Sequence, residues 1–242
     1  MSDYIIFKFR AINKHLLASL VNSEIYFAQP SCLNDPFDCR VEVLRALDNA
    51  IIQSPPESRE TLMKLRKMKD FFEKVQADTS RIGVSSFSLD LNNPLMWSHY
   101  ANDHRGVSLM YSFPEGYFYD NKDRILGITR VEYDTNPLTD WLVHRAPSLG
   151  TFEEFGVALI TKILTIKAKP WEYEGEVRIL RRAPGVESLD RKHLRQVCFG
   201  LETAEADVAL ITKIIKQGQY DLTLCKMVRC SDTDFGIKPE EI

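Results

Sequence analysis

The sequence lacks the long apolar runs and the leader segment that would direct a protein into or across a membrane. No apolar run among its 242 residues approaches the roughly 20 residues that a membrane-spanning helix needs. The start, MSDYIIFKFR, has neither the basic beginning nor the small-residue cleavage site of a signal peptide. We therefore expect a cytoplasmic protein without a membrane partner.

Cysteine is present but in no pattern that binds metal or forms a disulfide framework. The five cysteines are odd in number and form no CxxC pair, which argues against a thiolate zinc site and against paired disulfides. We expect free thiols and no bound metal.

Three common catalytic signatures are also missing. The chain contains no GxSxG elbow, no GxGxxG fingerprint and no GxxxxGK[ST] loop, so serine hydrolase, Rossmann and P-loop classes lose their main sequence support. A formal net charge of -3 argues against a surface that attracts nucleic acid throughout. A nucleotide-sized small molecule, a protein target, or both, are the expected partners.

The elements that the sequence does contain predict an α+β fold. The predicted strands cover residues 4–9, 24–28, 82–88, 107–113, 125–133, 177–180, 197–199 and 222–228. The predicted helices cover 94–101, 152–164 and 204–217, with another after the cap Asn13 that ends near Val21. This order favours a mostly antiparallel mixed sheet with flanking helices in one domain, and not a doubly wound sheet.

One segment, at about residues 45–80, looks like a helical insertion. From 57 to 77, apolar residues recur at helical spacing after the Pro55-Pro56 break, which predicts one long amphipathic helix. Its many basic residues favour a solvated face in a chain of net negative charge. We expect this helix to be peripheral and its deletion to leave the core folded.

The strongest candidate site is WEYEGEVRIL, residues 171–180. If this stretch is a strand, Glu172, Glu174, Glu176 and Arg178 share one face, while the residues between them share the other. Crowded carboxylates raise the pKa of at least one of them unless a cation offsets it, as in many functional sites. The alternative is a solvated strand face with an Arg–Glu pair.

Two further candidates lie in turns and strand ends. NDPFD presents Asn34, Asp35 and Asp38 to a ligand or metal, or forms a plain turn with side chain–backbone hydrogen bonds. SSFS places Ser86 and Ser88 on one strand face, where they can support a carboxylate or a ribose, or only decorate an edge.

The stretch NPLMWSHYANDHRG predicts a short helix that begins at Pro94. Trp97 and Tyr100 share its apolar face, so we expect both to be largely buried. His99 and His104 are spaced poorly for two metal ligands, and a hydrogen bond from His104 to a loop carbonyl is the alternative.

Taken in order, FKFR, NDPFD, MWSHYA, HRG and WEYEGEVRIL resemble an uncharacterised family of bacterial and phage proteins, a domain of unknown function. The same residues carry a second resemblance, to ADP-ribosyltransferases, in which an early strand carries Arg, a middle strand Ser-x-Ser and a late strand Glu-x-Glu. These positions correspond to Arg10, to Ser86 with Ser88, and to Glu174 with Glu176.

The second resemblance implies an ADP-ribosyltransferase-like fold and cleavage of NAD. It implies that Glu176 holds the ribose hydroxyl, Glu174 assists the acceptor and Arg10 grips the diphosphate, with Phe27 or Tyr100 stacked on nicotinamide. The residues expected around NAD are Arg10, Asn34, Asp35, Ser86, Ser88, Tyr100, His104 and Arg178.

Two other functions remain open at the level of sequence. One is a noncatalytic module that binds a nucleotide or a protein in the same cleft. The other is a metal-dependent nuclease built from Asp35, Asp38, Glu174 and Glu176, since hard divalent ions prefer clustered oxygens. The late strand carries no lysine of the kind expected in such a nuclease.

Overall fold

The computed structural model describes residues 3–145, 148, 150–231 and 233–242. The strands are β1 (Tyr4–Arg10), β2 (Glu24–Phe27), β3 (Gly83–Ser88), β4 (Val107–Phe113), β5 (Ile125–Arg130), β6 (Glu132–Asp134), β7 (Ile166–Ala168), β8 (Glu176–Arg181), β9 (Gly185–Ser188), β10 (Leu194–Phe199), β11 (Thr223–Arg229) and β12 (Ile237–Glu241). The helices are α1 (Lys14–Asn22), α2 (Val43–Gln53), α3 (Pro56–Arg66), α4 (Lys69–Ser80), α5 (Pro94–Tyr100), α6 (Tyr117–Asp120), α7 (Pro137–His144), α8 (Phe152–Thr165) and α9 (Glu205–Gln217).

An eight-stranded mixed sheet organises the fold. Its strand order is β12-β11-β10-β4-β1-β3-β8-β5, and β10 with β11 is its one parallel pair. Two small sheets, β2 with β9 and β6 with β7, lie beside it. The predicted class, α+β with a mostly antiparallel mixed sheet, is confirmed.

Residues at the N-termini of three helices explain where these helices begin. The Asn13 side chain accepts hydrogen bonds from the backbone N–H groups of His15 and Leu16 and so caps α1. Thr151 and Glu154 form a capping box at the start of α8. Pro94 occupies the first turn of α5, where its missing N–H has no consequence.

Three predicted segments differ in part from the structure. The single helix predicted over 57–77 is wrong: α3 and α4 are separate, because the backbone leaves the helical region at Met68 (ψ 70°). The strand predicted over 125–133 is interrupted at Val131, whose N–H turns to the carbonyl of Glu176. The strand predicted over 177–180 is present as β8, but residues 169–174 form a 3-10 helix, so the strand geometry considered from Trp171 onward begins only at Glu176.

The helices α2, α3 and α4 are not solvated appendages. Leu47, Leu62 and Phe72, one from each helix, are buried together with Leu142 of α7 and Leu159 of α8 in a second hydrophobic cluster. The first cluster lies between the large sheet and helices α1 and α9. Whether the segment is an insertion stays a prediction, but its apolar face is part of a shared core.

Strands β1 and β3 are neighbours that scarcely pair. Their register contains one pair, Phe7 with Ser88, whereas β1 pairs with β4 along its whole length. Farther along β3, Val84 pairs with Ala28, which follows β2. Between these two pairs the sheet opens into a cleft.

A candidate active-site cleft

The cleft between β1 and β3 has a volume of about 340 Å³, within the usual range of small-molecule sites. Its wall combines charged, polar and aromatic side chains from seven segments of the chain. The polar and aromatic lining residues are Phe7, Lys8, Phe9, Arg10, Tyr26, Asn34, Asp38, Ser86, Phe87, Ser88, Tyr100, Lys167, Glu174 and Glu176.

One side of the cleft rests on a buried ion pair. The guanidinium of Arg178 is fully buried and donates to both oxygens of Glu176, at 2.7 and 3.0 Å, and to both oxygens of Asp38, at 2.8 and 2.7 Å. Strand alternation places Glu176 and Arg178 on one face of β8, while Val177 and Ile179 are buried on the other. The prediction for that opposite face is confirmed, and the face with charges is buried instead of solvated.

Lys167 joins this pair to a second carboxylate. Its ammonium, supplied by β7, lies 3.2 Å from Glu176 and 3.6 Å from Asp38, and it also donates to Glu174. The other oxygen of Glu174 accepts from the Tyr100 hydroxyl, and Asn34 Nδ2 donates to that hydroxyl at 3.1 Å. Three carboxylates thus share two cations in one continuous network.

The network shifts the pKa values of its two glutamates, Glu174 and Glu176. Burial raises the pKa of Glu176, but the adjacent Arg178 and Lys167 outweigh it and hold that pKa at about 2. Burial also raises the pKa of Glu174, and here Lys167 and Tyr100 offset it only in part. The pKa values of these two neighbouring carboxyl groups are therefore shifted in opposite directions. In this pattern, one group stays ionised and the other can exchange a proton.

The cleft also receives two cations from β1, Lys8 and Arg10, from the opposite face of the sheet, because Phe7 is the β1 residue in register with Ser88 and Glu176. No hydrogen bond or ion pair joins the Arg10 side chain to the described residues. Lys8 contacts no carboxylate there: its ammonium donates to Ser85 Oγ and to the carbonyl oxygen of Ser86, both at 2.9 Å. The cleft is positive along β1 and carries one more carboxylate than cation on the side of β8.

Ser86 and Ser88 have different roles. Ser86 lies beside Glu176, where its hydroxyl contributes to the low pKa of that carboxyl group. Ser88 is buried and donates to the carbonyl oxygen of Glu174 at 2.7 Å, so it holds the backbone of the 3-10 helix. Both serines line the cleft, and of the two hydroxyl groups that of Ser86 is the one that acts on the carboxyl group of Glu176.

Five predicted positions do not join the cleft as expected. Arg178, expected around NAD, is fully buried, pairs with Glu176 and Asp38, and does not line the cleft. Glu172 is exposed and pairs with Lys169, because the 3-10 helix removes it from the face of Glu176. Phe27 is buried in the core, since alternation along β2 turns Tyr26 to the cleft instead. Asp35 accepts from the N–H of Phe37 in a turn. His104 contacts Ser98, at 3.2 Å, instead of a loop carbonyl.

His104 belongs to an unusual turn. Asn102, Asp103 and His104 all have positive φ, at 49°, 53° and 64°, which is costly for residues other than glycine. The turn ends at Gly106, where a Cβ would lie 2.2 Å from the carbonyl oxygen of Arg10. Of the predicted pair on α5, Trp97 is fully buried as expected, whereas Tyr100 is half-buried because its hydroxyl reaches Glu174.

Sequence reasoning missed Lys8, Lys167 and the pairing of Asp38 with Arg178. Alternation along β1 was sufficient to place Lys8 beside Arg10, two residues away on the same face. Lys167 carried no such signal, because it comes from a three-residue strand outside the large sheet.

The described residues contain no group of three or more His, Cys, Asp or Glu side chains arranged to hold a metal ion. The carboxylates considered for a nuclease contact cations of the protein or backbone N–H groups instead. Within the described part of the chain, no helix is long and apolar enough to cross a bilayer.

Fold and site together define an α+β protein whose mixed sheet is opened by a cleft lined with buried charges. Residues 96–179, about a third of the chain, match the model of a family described as a protein of unknown function (DUF2971). The resemblance to an uncharacterised family is thereby confirmed over the segment that supplies Tyr100, Lys167, Glu174, Glu176 and Arg178. No curated protein and no solved structure matches the chain.

Proposed function

We propose that the protein binds NAD in this cleft and breaks its nicotinamide–ribose bond, transferring ADP-ribose to an acceptor or to water. The observation that carries the proposal is the convergence of Arg10, Ser86 and Glu176 on one cleft. These are the residue types, in the chain order, that the resemblance to ADP-ribosyltransferases implies, and they come from three different strands.

The distribution of charge supports the same ligand. NAD carries an anionic diphosphate and, at its other end, a cationic nicotinamide ring. The cations of β1 suit the diphosphate, while Glu174 and Glu176, on the side of β8, suit the cationic end. Tyr26, half-exposed in the cleft wall, offers an aromatic face for a base.

Glu176 has the state that the reaction requires. When the glycosidic bond breaks, its electron pair leaves with nicotinamide and the ribose acquires oxocarbenium character. An ionised carboxylate held by Arg178 stabilises that charge without reorganising. The Ser86 hydroxyl, with one donor and two acceptor positions, can link Glu176 to a ribose hydroxyl.

Glu174 is suited to the acceptor step. As the acceptor attacks the ribose carbon, its proton must pass to a base, and the raised pKa of Glu174 favours protonation. Tyr100 donates to Glu174 and lines the cleft. An acceptor near Tyr100 can therefore pass a proton to Glu174 directly or through the hydroxyl.

The first test is Arg10→Gln. Because no hydrogen bond or ion pair within the described residues involves the Arg10 side chain, we expect little change in thermal stability and at least about tenfold weaker NAD binding, the loss typical of a charge-assisted contact. Calorimetric titration measures the affinity. Arg229→Gln, an exposed arginine of β11 outside the cleft, is the matched control and should bind as the wild type does.

The second test measures nicotinamide release by Glu176→Gln beside Asp38→Asn. Both changes remove a carboxylate from Arg178, so both disturb the same ion pair. Only the first removes the charge proposed to face the ribose, so it alone should lower the release rate by about 10²–10³-fold. Equal rates for the two variants would remove Glu176 from its proposed role.

A binding module without turnover is the second candidate. It is favoured by one observation: both oxygens of Glu176 and both of Glu174 already have partners in the protein. Wild-type protein that binds NAD and releases no nicotinamide over many hours would support this candidate and exclude the first.

A further inference from the structure

Lys8 occupies the gap where β1 and β3 do not pair. Along β3, Ser88 pairs with Phe7 and Val84 pairs with Ala28. Backbone groups of alternate residues point to the same side of a strand, so Ser86 also directs its carbonyl oxygen into the gap. The Lys8 ammonium lies in this gap and donates a hydrogen bond to that carbonyl oxygen at 2.9 Å.

The surroundings of Lys8 do not balance its charge. The ammonium lies 4.6 Å from the centre of the Phe87 ring, which β3 supplies, and its other hydrogen bond goes to Ser85. The charged groups that act on it are Arg10 on its own strand and, more weakly, Glu176 on β8. Burial and then Arg10 lower the pKa of Lys8 to about 7, against the opposite effect of Glu176.

We propose that Lys8 and Arg10 form one subsite for the diphosphate of the ligand, and that Lys8 takes up a proton when this anion binds. The identity of the ligand rests on the proposed function, whereas the anionic subsite follows from the two cations alone. An anion beside the two side chains offsets both the burial and the repulsion by Arg10 that destabilise the ammonium, so the complex favours the protonated lysine. The two side chains are suited to this arrangement because residues two apart in a strand share a face.

The experiment measures binding of ADP-ribose between pH 6 and pH 8. The internal diphosphate of this probe keeps its charge over that interval, so the ligand does not contribute to the pH dependence. If free Lys8 titrates near pH 7 and is protonated in the complex, affinity should fall about tenfold from pH 6 to pH 8. Titration calorimetry at pH 8 in two buffers of different ionisation enthalpy should show uptake of about one proton.

Two variants assign the effect to Lys8. Lys8→Arg keeps a fixed charge, so it should bind ADP-ribose at pH 8 at least as well as at pH 6 and take up no proton. Lys8→Met should bind weakly at both pH values. Thermal melts check that each variant is folded, and the buffer comparison on wild-type protein does not depend on either variant.

Wild-type affinity that is flat between pH 6 and pH 8, or a pH dependence that persists in Lys8→Arg, overturns the proposal. The second outcome would assign the titration to another group, such as Glu174. These results are separate from the proposed function: ADP-ribose contains no nicotinamide, so a protein without turnover still gives a positive or a negative answer.

Discussion

At the scale of single residues, Glu176 combines a proposed chemical role with a structural one. On the solvated strand face that the sequence left open as an alternative, a change of Glu176 to Gln would have little effect on stability. Burial of the pair with Arg178 changes that expectation, because removal of one partner leaves a buried charge incompletely compensated. We expect Glu176→Gln to lower the free energy of unfolding by about 3 kcal/mol at pH 7.

The pH dependence of this loss has a definite sign. The pKa of Glu176 is about 2 in the folded protein, against an ordinary value of 4.5, so the unfolded chain binds more protons between these pH values. The stabilisation is complete above about pH 4.5 and is lost as the pH falls toward 2. Urea melts at pH 7, 5 and 3.5 should show the difference between wild type and variant shrinking on acidification. A constant difference would contradict the assignment, and exposed Glu172→Gln serves as control.

The residues of the cleft differ in how far the sequence revealed them. Glu176 and Arg178 were predicted on one face because strand alternation is a local rule that each residue obeys. Glu174 was predicted for the wrong reason: it reaches the cleft from the end of a 3-10 helix, and not from the strand. Lys167 was invisible, since its contact with Glu174 depends on how β7 packs and not on any periodicity.

At the scale of elements, the turn at Gly175 orients the side chains of Glu174 and Glu176 toward Lys167. Gly175 ends the 3-10 helix in the left-handed region, with φ 50° and ψ 46°, and no atom lies within 4 Å of the position of a Cβ. The cost of a side chain there is thus backbone strain alone, about 1–2 kcal/mol for alanine.

We predict that Gly175→Ala lowers the free energy of unfolding by about 1 kcal/mol. Gly175→Asn should lower it less, because asparagine tolerates this region better. Chemical denaturation measures both. Gly116→Ala, at a glycine with φ −73°, is the control and should be nearly neutral; equal effects at the two glycines would contradict the role of the turn.

Helix boundaries show why periodicity alone is insufficient. Apolar residues continue at helical spacing through 57–77, yet the chain bends at Met68 so that Leu62 and Phe72 can reach the same cluster. Helix α7 was not predicted, and α2 was covered only by the general prediction of a helical segment at about 45–80, without bounds of its own. Both are short, at 11 residues for α2 and 8 for α7, and the apolar face of each becomes evident only when its partner is known.

At the scale of the whole molecule, the two largest hydrophobic clusters both contribute to the stability of the fold. Helices α2, α3 and α4 cover apolar residues of α7 and α8, so deletion of residues 43–80 would expose that face. This packing argues against the expectation, drawn from the sequence, that deletion of the helix at 57–77 leaves the core folded.

Single substitutions at two adjacent residues of α3 test, without a deletion, whether this helix contributes to the core. Leu62 is fully buried, whereas 49% of Met63 is exposed. We predict that Leu62→Ala lowers the free energy of global unfolding by about 3 kcal/mol, the usual loss for a buried leucine, and that Met63→Ala stays within about 0.5 kcal/mol. If α3 were an appendage, Leu62→Ala would loosen the helix and leave the main thermal transition in place.

The single pair that joins β1 to β3 also has a mechanical consequence. On one side of it, β12, β11, β10, β4 and β1 form a plate of five strands; on the other, β3, β8 and β5 form a plate of three. Elsewhere in the sheet, neighbouring strands are connected by several residue pairs. The sheet therefore bends most easily along the cleft. Bending of the two plates about this line changes the width of the cleft. A ligand that contacts both plates restricts this bending. Strands that do not contact the ligand therefore also lose part of their motion when it binds.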